Sequence, residues 1–179
     1  MKSKIFFLMT AFTGLFLLQG CEDDLLDVTE SFTYETELVV SSNDLTYTAS
    51  ELIDLSADVD LINQYGDKIK DIEIEELKYW LTAFVGSAEQ KIVNATVVIA
   101  DENGNDPKTI ASVTDQLLQP LLNNQTDLTL NQEGVDKLAD LIQNPPHKFN
   151  LTFTTTSNEV PLDFTVKFKF TIKMTANPL

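Results

Sequence analysis

Residues 160–175 alternate without a break. Val160, Leu162, Phe164, Val166, Phe168, Phe170, Ile172 and Met174 hold the even positions, while Pro161, Asp163, Thr165, Lys167, Lys169, Thr171, Lys173 and Thr175 hold the odd ones. A period of two sends successive side chains to opposite sides of an extended chain, so the run is a strand with one dry face and one wet face. No strand can hide such a face alone. It needs neighbours of the same kind in its own sheet and a second layer above it. At about 3.3 Å per residue the run approaches 50 Å, longer than an ordinary strand, and a bend or bulge within it is expected.

The rest of the chain supplies the neighbours. Phe32, Tyr34, Thr36, Leu38 and Val40 share a face, and residues 45–55 continue as a second extended segment with Leu45, Tyr47, Ala49, Ile53 and Leu55 in one parity. From Asp71 the apolar positions are even at Ile72 and Ile74, then odd at Leu77, Tyr79, Leu81 and Ala83. The switch at Glu75-Glu76 predicts a bulge. Val93, Ala95, Val97 and Ile99 form another strand, with 108–113 returning antiparallel around an Asp101–Pro107 loop built on Asn103-Gly104. Phe149, Leu151 and Phe153 precede a turn at Ser157-Asn158-Glu159.

Two stretches read as helix. Ser56 or Asp58 is placed to cap a short one carrying Val59, Ile62, Tyr65 and Ile69, and Asn131 to cap a longer one carrying Val135, Leu138, Ala139 and Ile142, which Asn144-Pro145-Pro146 stops. Residues 114–125 stay open between helix and loop, since Pro120 interrupts four leucines. An order of extended segment, short helix and two strands occurs at 45–100 and again at 127–175, without residue identity between them. The fold expected is mainly β: a two-sheet antiparallel β-sandwich with two or three short helices. An immunoglobulin-like arrangement is one form of it, though the Cys and Trp markers of that family are missing.

The amino terminus speaks to location. Lys2 and Lys4 precede an apolar stretch from Ile5 to Leu18, too short for a bilayer span of about 20 residues. It ends at Leu18-Gln19-Gly20-Cys21, and Cys21 is the single cysteine of the chain. Leu18, Gly20 and Cys21 resemble the lipobox of bacterial lipoproteins, although Gln19 stands where a small residue is usual. The resemblance implies cleavage before Cys21, acylation of its thiol and amino group, and a membrane anchor of two or three chains. Glu22, Asp23 and Asp24 resemble the surface export signal of Bacteroidota lipoproteins; read without it, they begin a solvated tether. The division expected is therefore a signal peptide at 1–20, the lipidated cysteine and acidic tether at 21–31, and one domain at 32–179.

Charge narrows the partners. Twelve basic residues face 28 acidic ones, a net charge of −16. Such a surface repels nucleic acid and anionic lipid, so membrane association rests on the anchor at Cys21. Arginine is absent from the sequence, which removes the planar fork that grips phosphate. His147, the one histidine, follows two prolines and reads as an exposed loop residue, too little for a Ser/His/Asp set or a zinc site. Glu73 and Glu75 share a strand face, a geometry able to hold an acid and base pair, though a solvated sheet face explains them. Asp101, Asn103, Asn105 and Asp106 resemble a calcium loop without its glycine spacing, and a hairpin turn explains them as well. Lys167, Lys169 and Lys173 suit cross-strand ion pairs or protection of a sheet edge. Trp80, opposite in parity to Tyr79, is expected on the outer surface as an apolar platform for a sugar ring or a partner side chain, unless a helix or the leucines of 117–122 cover it.

These features predict a non-enzymatic, membrane-anchored lipoprotein of the outer membrane, facing outward, that acts as a binding or adhesion module for a protein or glycan partner. No catalytic residue, metal site or cofactor is assigned. The alternatives are a structural lipoprotein of a periplasmic envelope assembly and a small carboxylate-dependent hydrolase acting on envelope polysaccharide.

Overall fold

The computed structural model describes residues 27–177. Eight strands form two four-stranded antiparallel sheets, with strands β1 (Val28–Ser42), β2 (Thr46–Asp54), β3 (Ile69–Phe84), β4 (Lys91–Ala100), β5 (Lys108–Leu117), β6 (Thr126–Asp127), β7 (Lys148–Ser157) and β8 (Leu162–Ala176). Three helices lie between them: α1 (Leu55–Asp58), α2 (Asp60–Tyr65) and α3 (Gln132–Gln143). The orders are β1-β8-β3-β6 in the first sheet and β2-β7-β4-β5 in the second.

These orders follow from one long ribbon. The first half of the chain runs antiparallel to the second, pairing β1 with β8, β2 with β7, β3 with β6 and β4 with β5. The ribbon then wraps until β3 also meets β8 and β4 also meets β7. This is a jelly roll. An immunoglobulin sandwich keeps its first, second, fifth and fourth strands in one sheet, so that form of the expected sandwich does not apply.

The terminal strand takes a central place because its dry face is complete. Leu162, Phe164, Val166, Phe168, Phe170, Ile172, Met174 and Ala176 are each no more than 2% exposed. Each buried side chain of this size contributes about 1.5–3 kcal/mol, and burying all of them requires strands on both sides and a sheet above. Phe149 and Phe153 of β7 reach across to Phe170 and Phe168, edge to face, with ring centroids 6.3 and 5.7 Å apart. The bulge expected as one way to bend this strand is not there. β8 keeps one register along all of β1, and the irregularities lie on β3, at Ile69/Asp71, Ile74/Glu76 and Leu81/Ala83. A slip in β8 would turn its lysines into the core, whereas β3 already changes parity in sequence at the expected bulge.

Other expectations shift in detail. Val28–Ser31 pair with Lys173–Ala176 and so belong to β1, not to the tether. The cap of α1 is Asp54, whose side chain accepts from the amide of Ala57, instead of Ser56 or Asp58. Val93 is bulged out of the β4–β7 ladder and is exposed. Residues 114–117 complete β5, and a 3-10 turn at Gln119–Leu121 buries Leu118 and Leu121 as the chain crosses between sheets. Asn131 does cap α3, accepting from the amide of Glu133 at 3.0 Å. Gly134 in that helix lies against β5 so closely that a Cβ would stand 2.4 Å from the Cα of Ile110. His147 is buried, not exposed: its Nδ1 lies 2.7 Å from the carbonyl of Ile142, closing the last turn of α3.

Candidate functional site

Leu18, Gly20, Cys21, Glu22, Asp23 and Asp24 lie outside the described residues. Trp80 does point to the outer face of its sheet, as its parity requires, yet it is only 8% exposed. Lys167, its neighbour on β8, holds its ammonium 5.7 Å from the ring centroid. Glu35 at 2.9 Å and Glu37 at 3.5 Å, both on β1, fix that lysine from the other side. The bond to Glu35, more than any other contact, raises the Lys167 pKa. Buried to this extent and with an ammonium over its ring, Trp80 is no open platform.

The carboxylates singled out in the sequence are also engaged. Glu73 is 2.8 Å from the ammonium of Lys173, and the bulge separates Glu75 from the regular ladder. Asp101 accepts from the amides of Asn103 and Asn105 at 2.9 and 2.8 Å, which organises the β4–β5 loop and lowers its pKa. Asp106 pairs with Lys137 of α3 at 2.9 Å. Lys167 and Lys173 therefore serve cross-strand pairs, and edge protection does not apply because β8 is an inner strand.

What the structure brings together instead is the end of the sandwich opposite Val28. There the β1–β2 turn at 43–45, the β3–β4 loop at 85–90, the β5 exit at Leu117-Leu118 and the β7–β8 turn at 158–161 meet. Gln90 ties them. Only 2% exposed, it donates through Nε2 to the carbonyls of Glu159 at 3.1 Å and Pro161 at 3.0 Å, and its own carbonyl accepts from the amide of Leu118. Asn158 accepts from the amide of Lys91 at 2.7 Å and donates to the carbonyl of Glu89. Ser87 donates to Glu159 at 2.7 Å, Val85 to the carbonyl of Asp163 and Ser157 to that of Leu45. Gly86 makes room for the hub, since a Cβ there would fall 2.0 Å from Oε1 of Gln90.

These fastened loops expose aliphatic side chains. Val85 is 65% exposed, Leu45 50%, Val160 48% and Leu117 39%. Val160 and Leu45, assigned by alternation to core faces, lie in turns and leave the core. Around them stand Asp44, Glu89 and Glu159, and residues 43–45, 85–90 and 158–161 include no lysine. These loops are held by hydrogen bonds, and their exposed side chains are aliphatic and acidic, with Lys91, opposite Leu117 in the β4–β5 ladder, paired to Asp115. The legible signal for them was an apolar residue inside a turn, where a two-residue period has no core to address. Gln90 carries no such signal.

No protein-family model matches the chain, and no curated protein does. Among solved structures, a chain of turnip yellow mosaic virus is similar at 11% identity and a TM-score of 0.39, over 85% of this chain and 95% of that one. A chain of Desmodium yellow mottle tymovirus is similar at 8% identity and a TM-score of 0.34, over 85% and 84%. The capsid protein of a decameric BFDV assembly is similar at 12% identity and a TM-score of 0.36, over 84% and 98%.

Proposed function

We propose that this protein is a non-enzymatic, lipid-anchored binding module of the outer membrane that faces outward and meets a protein partner through its loop end. The observation that carries the reading is the set of exposed aliphatic residues, Leu45, Val85, Leu117 and Val160, on loops fastened by Gln90 and, at Leu45, by the amide of Ser157. An anchor at Cys21 joins the domain at Val28, the far end of β1. Fifteen residues at about 3.3 Å each then hold the loop end some 50 Å from the point of attachment. Loops already fixed by hydrogen bonds lose little entropy on binding. Leucine and valine with carboxylates around them suit protein side chains better than sugars, which stack on aromatic rings, and Trp80 lies under Lys167.

The test joins topology to contact. A photo-crosslinking residue at Val85 in cells is expected to capture one protein of defined mass, and the same residue at Thr154, on the second sheet's outer face, is not. Protease added to intact cells is expected to digest the domain, and Cys21→Ala to abolish incorporation of labelled palmitate. Protection of the domain until lysis would move it to the periplasm and favour an envelope assembly.

A further inference from the structure

The sandwich ends on one side in two bare strands. Among the described residues β1 pairs only with β8, and β2 only with β7. Among the described residues, no backbone hydrogen bond reaches the outward amides and carbonyls of their fifteen and nine residues. A long open edge normally carries a lysine, a proline or a bulge that blocks further pairing. β1 has none of these: its sequence is VTESFTYETELVVSS, and its register with β8 is unbroken.

The two edge strands themselves carry charge of one sign: Glu30, Glu35 and Glu37 on β1, Glu51 and Asp54 on β2, and no lysine. On the outer face Glu35 and Glu37 share the single ammonium of Lys167. In the mouth between the sheets Tyr34 donates to Asp58 at 3.3 Å and Thr36 donates to Glu51. Among the described residues no lysine pairs with Glu51 or Asp58. Burial first, then the charges of Asp58 and Glu51, push the Tyr34 hydroxyl far above the usual phenol range. Phe32, Tyr34 and Tyr47 are half-buried there, so an added strand would find apolar surface on its inner side.

We propose that this open side receives an extended segment of a partner protein, paired with β1, with basic side chains at alternate positions above Glu35 and Glu37 and apolar ones between them. Unsatisfied backbone groups ask for a strand, and carboxylates on both flanks ask for cations. A second copy fits less well, because two chains of net charge −16 would place glutamates against glutamates.

The test uses the full-length protein and a synthetic peptide alternating lysine and valine. Hydrogen exchange of Val28–Ser42 is expected to slow by about tenfold or more at saturation, with β5 unaffected. The double variant Glu35→Lys with Glu37→Lys is expected to weaken binding by about tenfold, and Glu51→Gln by a smaller factor in the same direction. A peptide of equal charge with prolines in place of alternate valines must lose the effect, because proline cannot complete the ladder. Equal binding by the proline peptide, or protection without preference for β1, would overturn the proposal. So would a dimer that protects the same amides without peptide, since the occupant would then be a second copy.

Discussion

The two sides of the sandwich are finished by opposite means. On the β5 and β6 side the edges are covered. Asn131 donates to the carbonyl of Ile110 at 2.8 Å, Leu130 bridges Ala111, Leu128 donates to Leu77 at 2.9 Å, and Gly134 sets α3 directly on β5. On the β1 and β2 side no segment crosses the edges among the described residues, and carboxylates gather where the covered side has apolar contacts. One side is built for stability, and the other leaves backbone groups available. A jelly roll thus keeps edges, and the long β6–β7 connection closes only one pair of them.

The largest test of the contrast is Gly134→Ala. Alanine would raise helix propensity by up to about 1 kcal/mol, but its methyl would meet Ile110 and the Thr109 carbonyl at 2.4 and 2.5 Å. The overlap wins, and urea unfolding is expected to show a loss of about 3 kcal/mol. Thr36→Val, on the open side, removes one hydroxyl bond to the part-buried Glu51; the same measurement is expected to show a loss of about 1 kcal/mol. A loss as large as that of Gly134→Ala would mean that the open side is as tightly built as the covered one.

Thr155 lies behind that edge on β7, fully buried, with a hydroxyl that has no partner among the described residues. Thr155→Val is expected to leave stability unchanged or raise it by up to about 1 kcal/mol, because an unsatisfied hydroxyl gives way to a methyl of the same shape.

The smallest effects are in pH, and the two sides respond at opposite ends. The hydrogen bond from Lys137 holds the Asp106 carboxyl below the ordinary aspartate value of 3.8 on the covered side. Its contribution is complete above that value and fades as pH falls through the lowered pKa, so Lys137→Met should flatten the acid limb of stability. Tyr34 is raised above 10.0, so the folded protein keeps its proton while the unfolded chain loses it. Stability on the open side is complete below pH 10 and falls above it, and Tyr34→Phe should flatten the alkaline limb. Tyr79, raised by burial alone, leaves a residual slope of the same sign. Circular dichroism melts across both limbs check each expectation.

Particular residues show where legibility ended. The parity switch at Glu75-Glu76 and the capping of α3 by Asn131 were readable because each is decided within a few positions of the chain. His147 was misplaced because its burial depends on the carbonyl of Ile142 at the end of a helix that a proline pair had already closed. Trp80 was on the expected face, but the ammonium over it comes from Lys167 of β8, far along the sequence. Leu45 and Val160 continued the right alternation one step past the point where the strands turn. The loop end escaped for the same reason: Gln90 has meaning only when residues 118 and 158–161 stand beside it.

By itself the sequence determined which side chains share a face, because the period of two is a local property of extended backbone, and with it the two-layer architecture that so many dry faces require. Strand order, the one covered side and the one open side, and the gathering of four loops at one end were decided only in three dimensions. Burial of apolar surface has no direction and does not name a partner. It was the wrapping of the whole ribbon that set β1 against β8 and left the outer edge of β1 without a neighbour.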